Sequence, residues 1–191
     1  MNGRQEHRRG PVAFAICGAK ASGKTTLITR LIPLLVAPGL RVVTIKHDGH
    51  DFVGDVPGTD SFRHREAGAV GTAILSRGHW LVQGMGAQDE RSLMSILPAA
   101  DLVLLEGFKA SAYPKLEVVR GAGAASCCNP KNLVAVASDT DCAHPAGVAR
   151  LGLDDVEALA RVVLAFWGHA REGTPQAVTA AREQAGKEEL R

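Results

Sequence analysis

The stretch Gly18-Ala19-Lys20-Ala21-Ser22-Gly23-Lys24-Thr25 spells G-x-x-x-x-G-K-T. It follows the apolar run Phe14 to Cys17 and precedes Leu27, Ile28, Leu31, Ile32 and Leu35, which recur at helical spacing. Strand, glycine loop and helix in that order constrain the fold more than any other part of the chain, because they specify a phosphate-cradling loop inside a βαβ unit. Gly18 and Gly23 let the backbone turn with its N–H groups facing inward. The helix that follows brings further unpaired N–H groups and the positive end of its dipole to the same place. Lys24 then reaches the β- and γ-phosphates of a nucleotide, and the Thr25 hydroxyl is available to a magnesium ion.

The rest of the chain fits that start. Leu40 to Ile45 is a second apolar strand, and Asp101 to Phe108 (DLVLLEGF) a third, with Glu106 near its tip. In phosphate-loop proteins an acidic residue ending a neighbouring strand holds the magnesium, so Glu106 joins Thr25 as a metal candidate. Val70 to Leu75 and Trp80 to Met85 flank Arg77-Gly78 as a β-hairpin, expected to extend a sheet edge. Short helices are expected at Ser61 to Ala67 and Glu90 to Leu97, and strands at Leu116 to Arg120 and Leu133 to Ala137. Asp154 and Glu157 read as a capping box before the amphipathic helix carrying Val156, Leu159, Val163, Leu164 and Trp167. The expected fold is α/β: a three-layer P-loop NTPase fold with a mostly parallel sheet and an added β-hairpin. Its domain covers residues 11–168, between a basic flexible arm (1–10) and a flexible tail (169–191).

Composition narrows the partners. A chain of 191 residues that is 46% hydrophobic can bury a core without disulfides or metals. A net charge of +2 argues against nucleic acid, and no apolar run suits a membrane span or a signal peptide, so a cytoplasmic protein is expected. Cys17 reads as a small buried hydrophobe. Cys127, Cys128, Cys142 and His144 could be taken for a metal site, but adjacent cysteines fit tetrahedral zinc spacing poorly and free thiols are the expectation.

Between the second strand and the next helix, Lys46 to Asp60 (KHDGHDFVGDVPGTD) has neither period. It holds His47, His50, Asp48, Asp51, Asp55 and Asp60 and follows a parallel strand, where ligands bind. Asp48, Asp55 or Asp60 is available to orient an attacking water, and Lys24 and Asp60 are the catalytic candidates. No glutamine stands in a water-positioning motif and no arginine in a clear finger position, so hydrolysis is expected to be slow. No N-K-x-D base-reading motif is present; Asp139, after the strand L-V-A-V-A-S, is the candidate acceptor for guanine. A small-molecule kinase, with Arg63 and Arg65 as a sparse lid, a metallochaperone GTPase using His47, His50 and the cysteines, and a scaffold with a structural nucleotide are the rival readings.

G-A-K-A-S-G-K-T-T-L, K-H-D-G-H-D-F with D-x-P-G-x-D-S, A-G-A, and L-L-E-G-F-K occur in that order from about Val12 to Trp167. Together they resemble the molybdopterin-guanine dinucleotide biosynthesis adapter family, MobB. The resemblance implies a GTP-binding homodimer with weak, Mg2+-dependent GTPase activity that assists the guanylyltransferase MobA in joining GMP to molybdopterin. It places phosphate contacts on Ala21 to Thr26, and family motif positions on Lys46, His47, His50, Asp55, Asp60 and Glu106 to Lys109. The segment from His47 to Asp60 is then free to grip the pterin phosphate, meet MobA or bind a metal.

Overall fold

Six strands carry the larger part of the molecule: β1 (Val12–Gly18), β2 (Val42–Lys46), β5 (Leu102–Glu106), β6 (Lys115–Val119), β7 (Leu133–Ser138) and β8 (Ala149–Gly152). They pair in the order β2-β5-β1-β6-β7-β8, every neighbour parallel. Central strands covered on both faces read as continuous apolar runs, and β1, β5 and β7 do. The computed structural model describes residues 10–49, 52, 54–121 and 123–191. The expected arm, apart from Gly10, and His50 and Asp51 of the polar loop lie outside the described residues. No helix among the described residues is long and apolar enough to cross a membrane.

Helix α1 (Lys24–Val36) follows the phosphate loop and continues through Pro33 to a stop at Gly39, whose φ is 95°. Helix α4 (Val156–Glu172) and helix α5 (Ala177–Glu189) join α1 around one core. There Phe14 and Ile16 of β1 and Leu102 and Leu104 of β5 meet Leu31, Leu35, Leu159 and Phe166, with the Phe14 and Phe166 rings 5.2 Å apart. Where the sequence reading drew one domain over residues 11–168, the chain groups into two compact units: Asp48–Ile96, and the segments on either side of it. The first holds α2 (Asp60–Glu66), a hairpin of β3 (Gly71–Leu75) and β4 (Trp80–Gly84), and α3 (Glu90–Ile96). The hairpin is present as expected but forms its own two-stranded sheet instead of extending the edge of the large one.

Two expectations at the C-terminal end need correcting. Helix α4 runs past residue 168, where the domain is expected to end, and stops at Gly173, at φ 75°, whose N–H closes back on Ala170 and His169. Residues 177–189, expected as tail, form α5 packed against α4, β7 and β8. Its seam is Ala177, Ala181 and Ala185, four apart and buried, so the helix comes close without the large apolar residues that announce a core helix. Glu188, buried at 1% side-chain exposure, takes a two-pronged bond from Arg161 at 3.0 and 2.8 Å, and Arg182 donates to the Leu133 carbonyl at 2.9 Å. The cap of α4 is also shifted: Asp155, not Asp154, accepts from the Ala158 amide at 3.0 Å, while Asp154 pairs with Arg30 at 2.8 Å.

A second, smaller cluster lies on the other side of β1, β6 and β7 and includes Cys17, Val119, Leu133, Val136 and Val148. Connecting loop, including Cys128, completes it. Burial and the Glu117 carboxylate push the Cys127 thiol up to about 11, so it is protonated at neutral pH.

At the other end of the strands Arg41 clamps Asp101, its Nε and Nη2 donating to the two carboxylate oxygens at 3.0 Å each. These bonds hold Asp101 down to about 2, below the ordinary carboxylate value. The pair's contribution is therefore complete above about pH 4 and is lost as pH falls toward 2. Because Arg41 is half exposed, Asp101→Asn is expected to cost only about 1 kcal/mol at pH 7, and the difference shrinks toward pH 2 and vanishes below it. Urea unfolding of both proteins across that range is the check, and a pH-independent difference would remove the ion pair as its cause.

Candidate nucleotide-binding site

All six strands of the large sheet run the same way, so their carboxyl ends share one edge. Gly18 ends β1, Glu106 ends β5, Arg120 follows β6, Asp139 follows β7, and Leu153 and Asp154 follow β8. The loop from Gly18 to Gly23 turns through positive φ at Gly18 (141°), Ala21 (59°) and Gly23 (97°). No side chain caps α1, whose N-cap is Gly23, so the first amides of the helix remain for a ligand. Ser22 Oγ is buried and has no hydrogen-bond partner among the described residues. A buried hydroxyl with no partner is costly unless something supplies one, and a phosphate oxygen would.

Lys24 folds back along the loop, its Nζ donating to the carbonyls of Ala19 at 2.5 Å and Gly18 at 3.3 Å. Thr25 Oγ1 donates to Glu106 Oε1 at 2.7 Å, and Lys46 Nζ stands 4.0 Å from the same oxygen. Thr25 and Glu106, 81 residues apart, thus meet as a hydroxyl and a carboxylate of which only 12% is exposed. That donor set suits magnesium, which takes oxygen ligands and keeps several waters. Thr26 opens on solvent beside a small cavity lined by Gly23, Leu27, Arg30, Arg120 and Asp154.

The turn after Glu106 is held tightly. Gly107 (φ 96°) donates to Ile16 and lies where a Cβ would come within 3.3 Å of the His47 carbonyl. Phe108 adopts φ 50°, a left-handed conformation that costs a non-glycine residue about 1–3 kcal/mol. Lys115, fully buried, offsets that cost: its ammonium donates to the carbonyls of Phe108, Lys109 and Ser111 at 3.2, 3.0 and 2.6 Å. His47 rests edge-on against the Phe108 ring at 5.5 Å, its amide bonded to the Glu106 carbonyl.

Sequence reading missed Arg120. Its guanidinium comes so near the loop that a Cβ added to Gly23 would lie 3.6 Å from Nη1, and its Nε bonds Asp139 Oδ2 at 3.0 Å. Its position one residue past β6 was the available signal, since that strand lies next to β1. Asp139 is therefore already paired through one oxygen.

The remaining candidates belong to the other unit. Asp55, a half-buried residue, spends Oδ1 on its own turn, accepting from the Val56 amide and the Thr59 and Ser61 hydroxyls. Asp60 opens α2 with its side chain 91% exposed, 4.0 Å from Arg63, while Asp48 is exposed. Arg65 lies 3.8 Å from Asp55 and 5.6 Å from the Phe62 ring, a structural placement that takes it out of the sparse lid imagined for a kinase.

Comparisons with known proteins point to one family. A family model described as molybdopterin guanine dinucleotide synthesis protein B, MobB, matches residues 13–139. A molybdopterin-guanine dinucleotide biosynthesis adapter protein of Escherichia coli is 36% identical over 160 residues, 79% of this chain and 90% of that protein. One from Haemophilus influenzae is 37% identical over 113 residues, 54% of this chain and 60% of that protein. The crystal structure of Bacillus subtilis MobB aligns at 25% identity with a TM-score of 0.64, covering 81% of this chain and 96% of that one.

Proposed function

The chain belongs to the MobB family of molybdopterin-guanine dinucleotide biosynthesis adapter proteins, and we propose that it binds GTP with Mg2+ at the Gly18 to Thr26 loop. The 2.7 Å bond between Thr25 and Glu106, set below an uncapped helix start and the unpartnered Ser22 hydroxyl, carries this reading. Thr25 and Glu106 would hold the ion, Glu106 directly or through water, and the ion would neutralise phosphate charge. Lys24 leaves the carbonyls of Gly18 and Ala19 for the β- and γ-phosphates, trading neutral acceptors for charged ones. Asp139 keeps Oδ2 on Arg120 and offers Oδ1 to guanine N1–H or the exocyclic amine.

Hydrolysis is weak on this reading, because Arg120, which stands beside the loop, is tethered by Asp139. The protein works as an adapter for the guanylyltransferase that joins GMP to molybdopterin, MobA, with Asp60 and the His47-to-Asp60 segment serving the phosphate or the partner. Homodimerisation through the hairpin unit is supported by Ile74, Leu75, Trp80, Leu81 and Val82, five exposed apolar residues on two short strands. A cytoplasmic location goes with this role.

Titration of GTP and ATP against wild type and Asp139→Ala, with and without Mg2+, tests the assignment. Wild type is expected to prefer GTP at least about tenfold, and Asp139→Ala to lose that preference. Equal binding of ATP would exclude a guanine pocket, and a preference surviving in Asp139→Ala would place base recognition elsewhere.

A further inference from the structure

Cys17 and Glu117 are paired in register on the adjacent strands β1 and β6, so their side chains leave the same face of the sheet. The loop after β6 returns over that face and adds Ser126, Cys127 and Cys128. Glu117 and the two loop cysteines converge, and Cys17 lies against Cys128. Cys17 Sγ and Cys128 Sγ are 2.9 Å apart, and Cys127 Sγ and Glu117 Oε1 are 2.9 Å apart. The ligand atoms of Glu117, Cys127 and Cys128 all lie within 4.8 Å of one another.

Glu117 makes the cluster unusual. It is 1% exposed, yet among the described residues no Lys, Arg or His pairs with it. Dipoles face its charge: the Ser126 hydroxyl at 2.5 Å, the Cys127 amide and thiol at 2.9 Å each, and the Cys128 amide at 3.3 Å. A buried carboxylate is costly without a cation, and this one is surrounded by soft donors that prefer zinc. With Zn–S near 2.3 Å and Zn–O near 2.1 Å, donors at tetrahedral corners stand roughly 3.5–3.8 Å apart. The separations among Glu117, Cys127 and Cys128, from 2.9 Å to no more than 4.8 Å, bracket that value, so small side-chain rotations are enough.

We propose that Glu117, Cys127 and Cys128 hold one zinc-like divalent cation, with a fourth position left to water. As each sulfur–metal bond forms, the thiol proton passes to solvent. The ion ties the loop over the smaller cluster to β6, the strand paired with the end of β1. Cys142 packs against the same cluster but is outside the donor set, and His144, bonded through Nδ1 to the Cys142 carbonyl, is exposed. The competing chemistry is a Cys17–Cys128 disulfide, formed by losing two electrons and two protons to a peroxide or a small disulfide. It would leave Glu117 without a cation.

The test uses the full chain, reduced with a phosphine and freed of metal. Zn2+ is titrated against a chromogenic chelator, and cysteine alkylation is mapped by mass spectrometry with and without Zn2+. One zinc per chain is expected, with Cys127 and Cys128 protected and Cys142 open. Cys128→Ser and Glu117→Gln should each weaken binding about tenfold or more. Zinc that leaves all four thiols equally reactive is bound elsewhere, on His47 for example, and overturns the proposal. So does a wild-type chain that takes up no zinc and instead loses two hydrogens through a Cys17–Cys128 link. Because alkylation is read on wild type, the result stands even if Cys128→Ser does not fold, and it is independent of whether GTP binds.

Discussion

Lys24→Ala is expected to lower GTP affinity by about two orders of magnitude or more while the protein unfolds close to the wild-type temperature. The two effects separate because Lys24 does different work with and without a ligand. In the structure its ammonium donates to two loop carbonyls, Gly18 and Ala19, of a loop that is largely open to water. Water replaces such neutral, exposed bonds at a net cost of about 1 kcal/mol or less. Facing a triphosphate, the same group makes charge-assisted contacts worth about 1.5–3 kcal/mol each, and two of them amount to a factor of 10² to 10⁴. Competition against a fluorescent GTP analogue, together with a thermal melt, measures both quantities. Unchanged affinity in a folded Lys24→Ala protein would remove the loop as the nucleotide site. A large loss of melting temperature would instead make the lysine structural.

The parts of this site that can be read from sequence are those in which local pattern and function coincide. β1, its glycine loop and α1 form one contiguous stretch whose apolar run, turn residues and helical period agree with one another. Glu106 was legible because an apolar strand ends on it. Arg120, Lys115 and the Cys17–Glu117 pair were not, since each acquires its role from strand neighbours set by the sheet order, and one sequence carries no signal for which strands pair. β8 is only four residues long and was missed. α5 was missed for a different reason: an alanine seam looks the same in a solvated tail and in a closely packed helix, and what decides is the Arg161–Glu188 contact from another element. Asp55 shows a mixed case, for its Oδ2 has no hydrogen-bond partner among the described residues. Its place among polar loop residues suggested a ligand contact, yet three donors of its own turn occupy Oδ1, as small turn-forming segments often arrange.

The same glycine pattern that reveals the loop contains two different requirements, which substitution should separate. Gly18→Ala is expected to destabilise the fold by about 3–5 kcal/mol, whereas Gly23→Ala should affect nucleotide binding more than stability. At Gly18 φ is 141°, which strains any L side chain, and a Cβ would lie 2.3 Å from the Val118 carbonyl oxygen and 2.9 Å from Ser22 Oγ. The serine could turn away, but Val118 belongs to β6, which is paired to β1 on one side and β7 on the other, so its carbonyl cannot retreat without moving the centre of the sheet. Backbone strain of about 1–3 kcal/mol and a similar overpacking term set the estimate, and a loss of that size lowers the melting temperature of a domain this long by roughly 10 °C. At Gly23 φ is 97°, but the nearest obstacle is the end of Arg120 at 3.6 Å, a flexible side chain at ordinary contact distance. Strain alone remains there, and it falls on the residue whose amide and turn present the helix start to a phosphate. Gly39→Ala, at φ 95° with open space around it, measures strain without a clash. Urea midpoints for the three variants should therefore rank Gly18→Ala far below the other two. If Gly18→Ala unfolds with Gly39→Ala, then the approach of β6 to the loop is not what requires a glycine at the end of β1.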